Sequence, residues 1–164
     1  SFPSNGVVHL GSDTNINTIN HVMYLWHDVP GLQKFGSYST NGDGSGGGSE
    51  DGAFVYLGFR PALILFKGSS YTSDWTWIDE ERCKINYNDV AMRANYQYSE
   101  IGNSRGGVGS SSQPQNYAVD FLSNGFAIRA SGGSLNSGTT NTVCYAAWAK
   151  APEFNLYGVQ ANAK

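Results

Sequence analysis

"VDFLSNGFAIR", residues 119–129, decides how this chain is read. Two short apolar runs flank Ser123, Asn124 and Gly125, and an Asn-Gly step supplies the positive φ angles that a tight two-residue hairpin turn favours. The stretch predicts a β-hairpin. A version of it, "FPSNGVV", opens the chain at residues 2–8, with Phe2, Ser4, Asn5 and Gly6 matching Phe121, Ser123, Asn124 and Gly125 at one fixed offset. Further on, Trp26, Pro30 and Gly36 match Trp148, Pro152 and Gly158, so residues 1–42 and 120–164 read as two related segments of one chain.

Each segment predicts strand, turn, strand, polar loop and strand. The last strand is "HVMYLWHDV" (21–29) in the first and "TVCYAAWAKA" (142–151) in the second, followed by short aromatic tails, "GLQKFGSY" (31–38) and "EFNLYGVQ" (153–160). A three-strand unit cannot hide its own apolar face, so "VMYLW" is expected to pack against the rest of the chain. Between the segments, "NGDGSGGGSEDG" (41–52) is too rich in glycine for an element and reads as a loop. "AFVYLGFRPALILFKG" (53–68) gives two strands broken at Gly58 and Arg60-Pro61, and "DWTWIDEERC" (74–83) gives a strand with Trp75, Trp77 and Asp79 opposite Asp74, Thr76 and Ile78. Residues 84–116 lose all period and read as long loops, with one helical turn near Val90 to Ala94.

Composition agrees. Charged residues are only 14 %, while Gly reaches 21 and Phe, Trp and Tyr 8, 4 and 10, a profile of strands and turns rather than charged helices. The 164 residues fit a single domain, and the fold expected is an all-β antiparallel sandwich, concanavalin A-like or jelly roll, with long loops. The net charge of −3 and the absence of any Lys/Arg run leave no footprint for a nucleic-acid backbone. The longest apolar run, Pro61 to Phe66, falls far short of the roughly 18–20 residues that span a bilayer, so no membrane insertion is expected. A start at Ser1 without a charged-then-apolar leader is what a mature fragment or an excised piece would show. Cys83 and Cys144 could be bridged or free.

No constellation of catalytic groups stands out, and the chain is expected not to be an enzyme. Asp79 and Glu81, two residues apart on a strand, would share a face about 7 Å apart, a separation that glycoside hydrolysis could use. The surrounding pattern gives no acid and nucleophile pair, because Trp75 or Trp77 stands where a first Glu would be needed. His9, His21 and His27 lack zinc-ligand spacing. Asp43, Glu50 and Asp51 could hold calcium but lack the ligand order of a helix–loop–helix site. No cofactor is expected. A binding surface remains: Tyr71, Trp75 and Trp77 stand among Asp79, Arg82, Asn86, Asn95 and Glu100, and aromatic faces beside amide, carboxylate and guanidinium groups suit sugar recognition.

The segments "GAFVYLGFRPALILFKGSS" (52–70), "DWTWIDEERCKINYN" (74–88), "RANYQYSE" (93–100), "VDFLSNGFAIR" (119–129) and "NTVCYAAWAKAPEF" (141–154) together resemble a module of bacteriophage tail-fibre and other tail proteins. That module is a tandemly repeated domain of unknown function. Its spaced pattern is Asp79-x-x-Arg82-x-x-x-Asn86, then Asn95 and Glu100, then Phe121 to Phe126; Ala149-Lys150 departs from it where Ala-Glu is more usual. The resemblance implies a sandwich fold, a virion or extracellular location, host-surface glycan or receptor as a partner, and further copies of the chain in a fibre. A structural subunit that assembles through its terminal strands is the alternative.

Overall fold

The computed structural model describes residues 22–42, 51–97, 100 and 117–150. Among them the chain forms β1 (Gln33–Asn41), β2 (Phe54–Tyr56), β3 (Pro61–Gly68), β4 (Thr76–Asp79), β5 (Ala91–Arg93), β6 (Val119–Leu122), β7 (Gly125–Ile128), one helical turn α1 (Gly133–Asn136) and β8 (Thr139–Ala149). The strands make two antiparallel sheets, ordered β1-β8-β3-β4-β5 and β2-β7-β6. The protein is an all-β sandwich. Among the described residues the first strand pairs with the last in one sheet, and β2 pairs with β7 in the other.

Alternation along the strands builds the core between the sheets. In β3, Ile64 and Phe66 are buried while Leu63, Leu65 and Lys67 are only half-covered, and in β4 Thr76 and Ile78 are buried against an outward Trp77 and Asp79. The smaller sheet has strands of three and four residues, too short to be stable alone, and β7 runs through its middle with every residue buried. Phe126 of β7 meets Phe66, Tyr38 and Tyr145 of the larger sheet edge to face, with ring centroids 5.5, 6.2 and 5.3 Å away. Edge-to-face geometry places the positive ring edge against the negative ring face, which adds to the burial of four large side chains. The Tyr38 hydroxyl leaves this apolar cluster satisfied, donating to the Leu135 carbonyl at 2.8 Å in α1.

The 119–129 hairpin forms, but by a different turn than Asn-Gly chemistry predicts. Leu122 pairs with Gly125, so the two-residue loop is Ser123-Asn124. Among the described residues positive φ occurs at Gly31, Gly58, Gly133, Gly138 and Thr140, not at 123–125. Gly125 is glycine for space instead: a Cβ there would run into the Val55 carbonyl oxygen of β2. The Asn124 carbonyl then accepts from the Leu57 and Gly58 amides at 2.9 and 3.1 Å, locking the turn onto the link between β2 and β3.

Two expectations about strands are corrected. Residues 22–28 form no strand, only Val29 bridges Gln33, and Val22, Met23, Tyr24, Leu25 and Trp26 are exposed rather than packed on the core. The strand lies instead in the predicted aromatic tail, as β1, because "QKFGSYST" alternates and can pair with β8 along its whole length. Near Val90 to Ala94 the chain makes β5, not a helical turn, since Ala91 and Met92 complete a ladder beside β4. The first-segment hairpin at 2–8, the tail at 153–160 and residues 43–50 of the Gly-rich loop lie outside the described residues. Phe126→Ala is expected to cost about 3–5 kcal/mol of stability, and Gly125→Ala about 1–3 kcal/mol despite adding one methyl; urea unfolding followed by tryptophan fluorescence measures both.

Candidate functional site

Inward burial on alternate residues leaves a second apolar surface on the outside of the larger sheet. Register fixes its members: Phe35 pairs with Ala146, Ala146 with Leu65, Leu65 with Trp77 and Trp77 with Met92, one continuous row across all five strands. The row beside it runs from Gln33 through Trp148 and Leu63 to Asp79. None of these side chains is buried. α1 and the smaller sheet contribute Leu135, Phe121 and Phe126 to the opposite, core side.

Four aromatic rings dominate this face. Trp77 and Trp148 belong to strands two apart, about 10 Å between backbones, yet their indoles lean over β3 to lie nearly parallel, 14° and 6.2 Å between centroids. Phe35 meets Trp148 edge-on at 6.0 Å. Trp75, the residue before β4 and of the same parity as Trp77, is 46 % exposed. Its backbone is held on both sides, by its amide donating to Asn95 Oδ1 at 2.9 Å and its carbonyl accepting from the Ala94 amide at 2.8 Å. Asn95 in turn donates to Asp74 Oδ1 at 3.1 Å, and Asp74 pairs with Arg93 at 3.2 Å.

The polar rim at the end of β4 is built by Asp79. Its Oδ1 accepts from the amides of Glu81 and Arg82 at 3.1 and 3.0 Å, closing a turn immediately after the strand. Its Oδ2 lies 3.3 Å from Arg82 Nε, which also approaches Glu100 at 3.5 Å. The turn removes the shared strand face on which Asp79 and Glu81 were expected, and Glu81 faces Lys84 at 3.1 Å instead.

Of the residues singled out in the sequence, the structure brings Trp75, Trp77 and Asp79 to one face, Arg82 and Glu100 to its end and Asn95 behind Trp75. Tyr71 and Asn86 are elsewhere. Tyr71 packs against the core and donates to the Ser134 carbonyl at 2.7 Å, and burial pushes its phenol up to about 12. Asn86 uses its side-chain amide as a strand would, donating to the Phe121 carbonyl at 3.1 Å and accepting from the Phe121 amide at 3.0 Å. Phe35 and Trp148 escaped the sequence reading. The alternation of Cys144, Ala146 and Trp148 against Val143, Tyr145 and Ala147 carried the signal for Trp148.

Other candidates settle into structural roles. Asp51 pairs with Arg129 at 3.1 Å, and no group of three His, Cys, Asp or Glu gathers among the described residues; Asp43 and Glu50 lie outside them. Cys83 and Cys144 are free, the first buried and the second exposed. Lys150, the departure from Ala-Glu, donates to Glu80 Oε1 at 2.9 Å, where Arg60 Nη2 also donates at 2.9 Å. Arg60 further donates to the Phe121 carbonyl, tying the node to β6.

Over residues 1–152 the chain matches, and belongs to, the family described as a domain of unknown function (DUF7483). No curated protein and no solved structure matches it.

Burial alone would raise the Glu80 carboxyl, but hydrogen bonds from Lys150 and Arg60, with their charges, hold it below the usual glutamate range. A depressed folded-state value contributes stability that is complete above the unfolded value of about 4.3 and lost as pH falls through the lower folded value. Glu80→Gln is therefore expected to lower the urea midpoint at pH 7, and the gap to the natural chain to close as pH drops below about 4. A gap constant across that range would show the node contributing nothing electrostatic.

Proposed function

We propose that this member of the family is a non-catalytic binding module that recognises a host-surface glycan through the outer face of its five-stranded sheet. The observation that carries this reading is the partly exposed aromatic face of Phe35, Trp148, Trp77 and Trp75 with polar groups at its margin. A pyranose ring has an apolar C–H face and a hydroxyl rim. Indoles held by a sheet offer the first a rigid apolar surface at small entropic cost. Gln33, Asp79, Arg82 and Glu100 offer the second an amide, carboxylates and a guanidinium.

Asp79 supports recognition over hydrolysis. Its Oδ1 is already engaged by two main-chain amides and its Oδ2 by Arg82, leaving it a hydrogen-bonding group at the rim rather than a free base. The resemblance to bacteriophage tail modules supplies the setting, a virion surface that meets polysaccharide. Single-site affinity on an open face is weak, and display of several copies raises it by making the second contact intramolecular.

The test is a glycan array probed with the domain coupled in many copies to a bead. Trp77→Ala and Trp148→Ala are each expected to reduce binding at least about tenfold, whereas Phe54→Ala, exposed on the smaller sheet, leaves it unchanged. Silence across host polysaccharides from a folded, multivalent domain overturns the reading.

A further inference from the structure

Chemistry on the edge of the larger sheet is independent of the glycan reading, which concerns its face. Among the described residues β1 is an edge strand, paired only with β8. The Phe35 amide points away from β8, because it donates to Asp28 Oδ1 at 2.8 Å. Strand periodicity then turns the N–H and C=O of Ser37 and Ser39 to the same free edge, while Gly36, Tyr38 and Thr40 face β8. Both serines are exposed and neither position carries a Lys, a Pro or an inward charge, the devices by which proteins blunt an edge.

An apolar arm, Val22 to Trp26, precedes this edge strand in the chain. His27 and Asp28 fasten it, the His27 carbonyl accepting from Gln33 Nε2 at 2.9 Å and Asp28 capping Phe35. Immediately before the fastening, Val22, Met23, Tyr24, Leu25 and Trp26 are each between 52 and 79 % exposed. Five consecutive large apolar residues, all exposed, exceed the scattered exposure that a monomer's surface normally carries. Together they present roughly 600 Å² per copy. Two arms reach about 1,200 Å², the lower limit of a stable protein interface, before any contribution from the strand edges.

We infer that the partner is a second copy of this chain, joined through β1 about a two-fold axis, with each arm covered by the neighbouring copy. Antiparallel pairing centred on Tyr38 sets Ser37 of one copy opposite Ser39 of the other, and the mirror pair follows from the symmetry. Each serine pair exchanges its N–H···O bonds, and the five-stranded sheets become continuous. The contact is isologous and closes at the dimer, because the same edge is consumed on both copies. The outer faces end up on one side of the joined sheet, since the axis runs perpendicular to it.

Sedimentation velocity on the full chain at micromolar concentrations tests this. The natural sequence is expected to sediment as a dimer. Leu25→Asp/Trp26→Asp weakens dimerisation at least about tenfold by removing apolar area. Ser37→Asp/Ser39→Asp, which places like charges opposite each other, gives the monomer, whereas Ser37→Lys/Ser39→Asp, which pairs unlike charges in the same register, restores the dimer. Circular dichroism confirms that each variant folds. A monomeric natural chain overturns the inference, as does a dimer indifferent to either the arm or the serine substitutions.

Discussion

One ring of the smaller sheet meets three aromatic rings of the larger. Phe126 belongs to a sheet whose strands have too few residues to persist alone, and it is the residue that β7 sends into Phe66, Tyr38 and Tyr145. The larger sheet can pair its own strands, but one of its faces must be covered, and the smaller sheet has no stability except as that cover. Each sheet is thus the condition of the other. Gly125 follows from the same demand: β2 must approach close enough to complete the cover, and a side chain at that position would hold it off.

Local alternation was legible and its tertiary destination was not. Trp75, Trp77 and Asp79 opposite Thr76 and Ile78 could be read as two faces because strand geometry is period two and burial obeys it. The internal similarity between 1–42 and 120–164 misled the reading of "HVMYLWHDV". Hydrophobicity marks a segment as seeking a surface but does not say that the surface is its own core, and the polar "QKFGSYST" won the place beside β8 through its backbone ladder. Likewise Asn-Gly announces a turn, yet the turn took Ser123-Asn124 because glycine was required one step later for proximity. Asp79 and Glu81 looked like a strand pair because no signal short of Asp79 capping its own following amides marks where β4 stops.

The candidate site shows how a binding face can arise without a pocket. β3 is flanked by β8 and β4, and Trp148 and Trp77 lean over its outward leucines until their planes nearly coincide in direction. The rings need no separate scaffold, because the ladders that fix the sheet fix them as well. Half of this surface was visible as composition around residues 71–100. The other half came from strands far away in sequence, Phe35 and Trp148, which only the order β1-β8-β3-β4 brings alongside.

That order also governs how the molecule bears load. Gln33 stands opposite Trp148, so the chain enters and leaves the larger sheet side by side. Tension applied through the flanking polypeptide would open the β1–β8 ladder one rung at a time, like a zipper, instead of shearing its bonds together. The first rungs are pinned on both strands, by Asp28 on the Phe35 amide and by Lys150 on Glu80. Under such a load the capping carboxylate and the ion pair at one corner are the first contacts to bear it, ahead of the long ladder behind them.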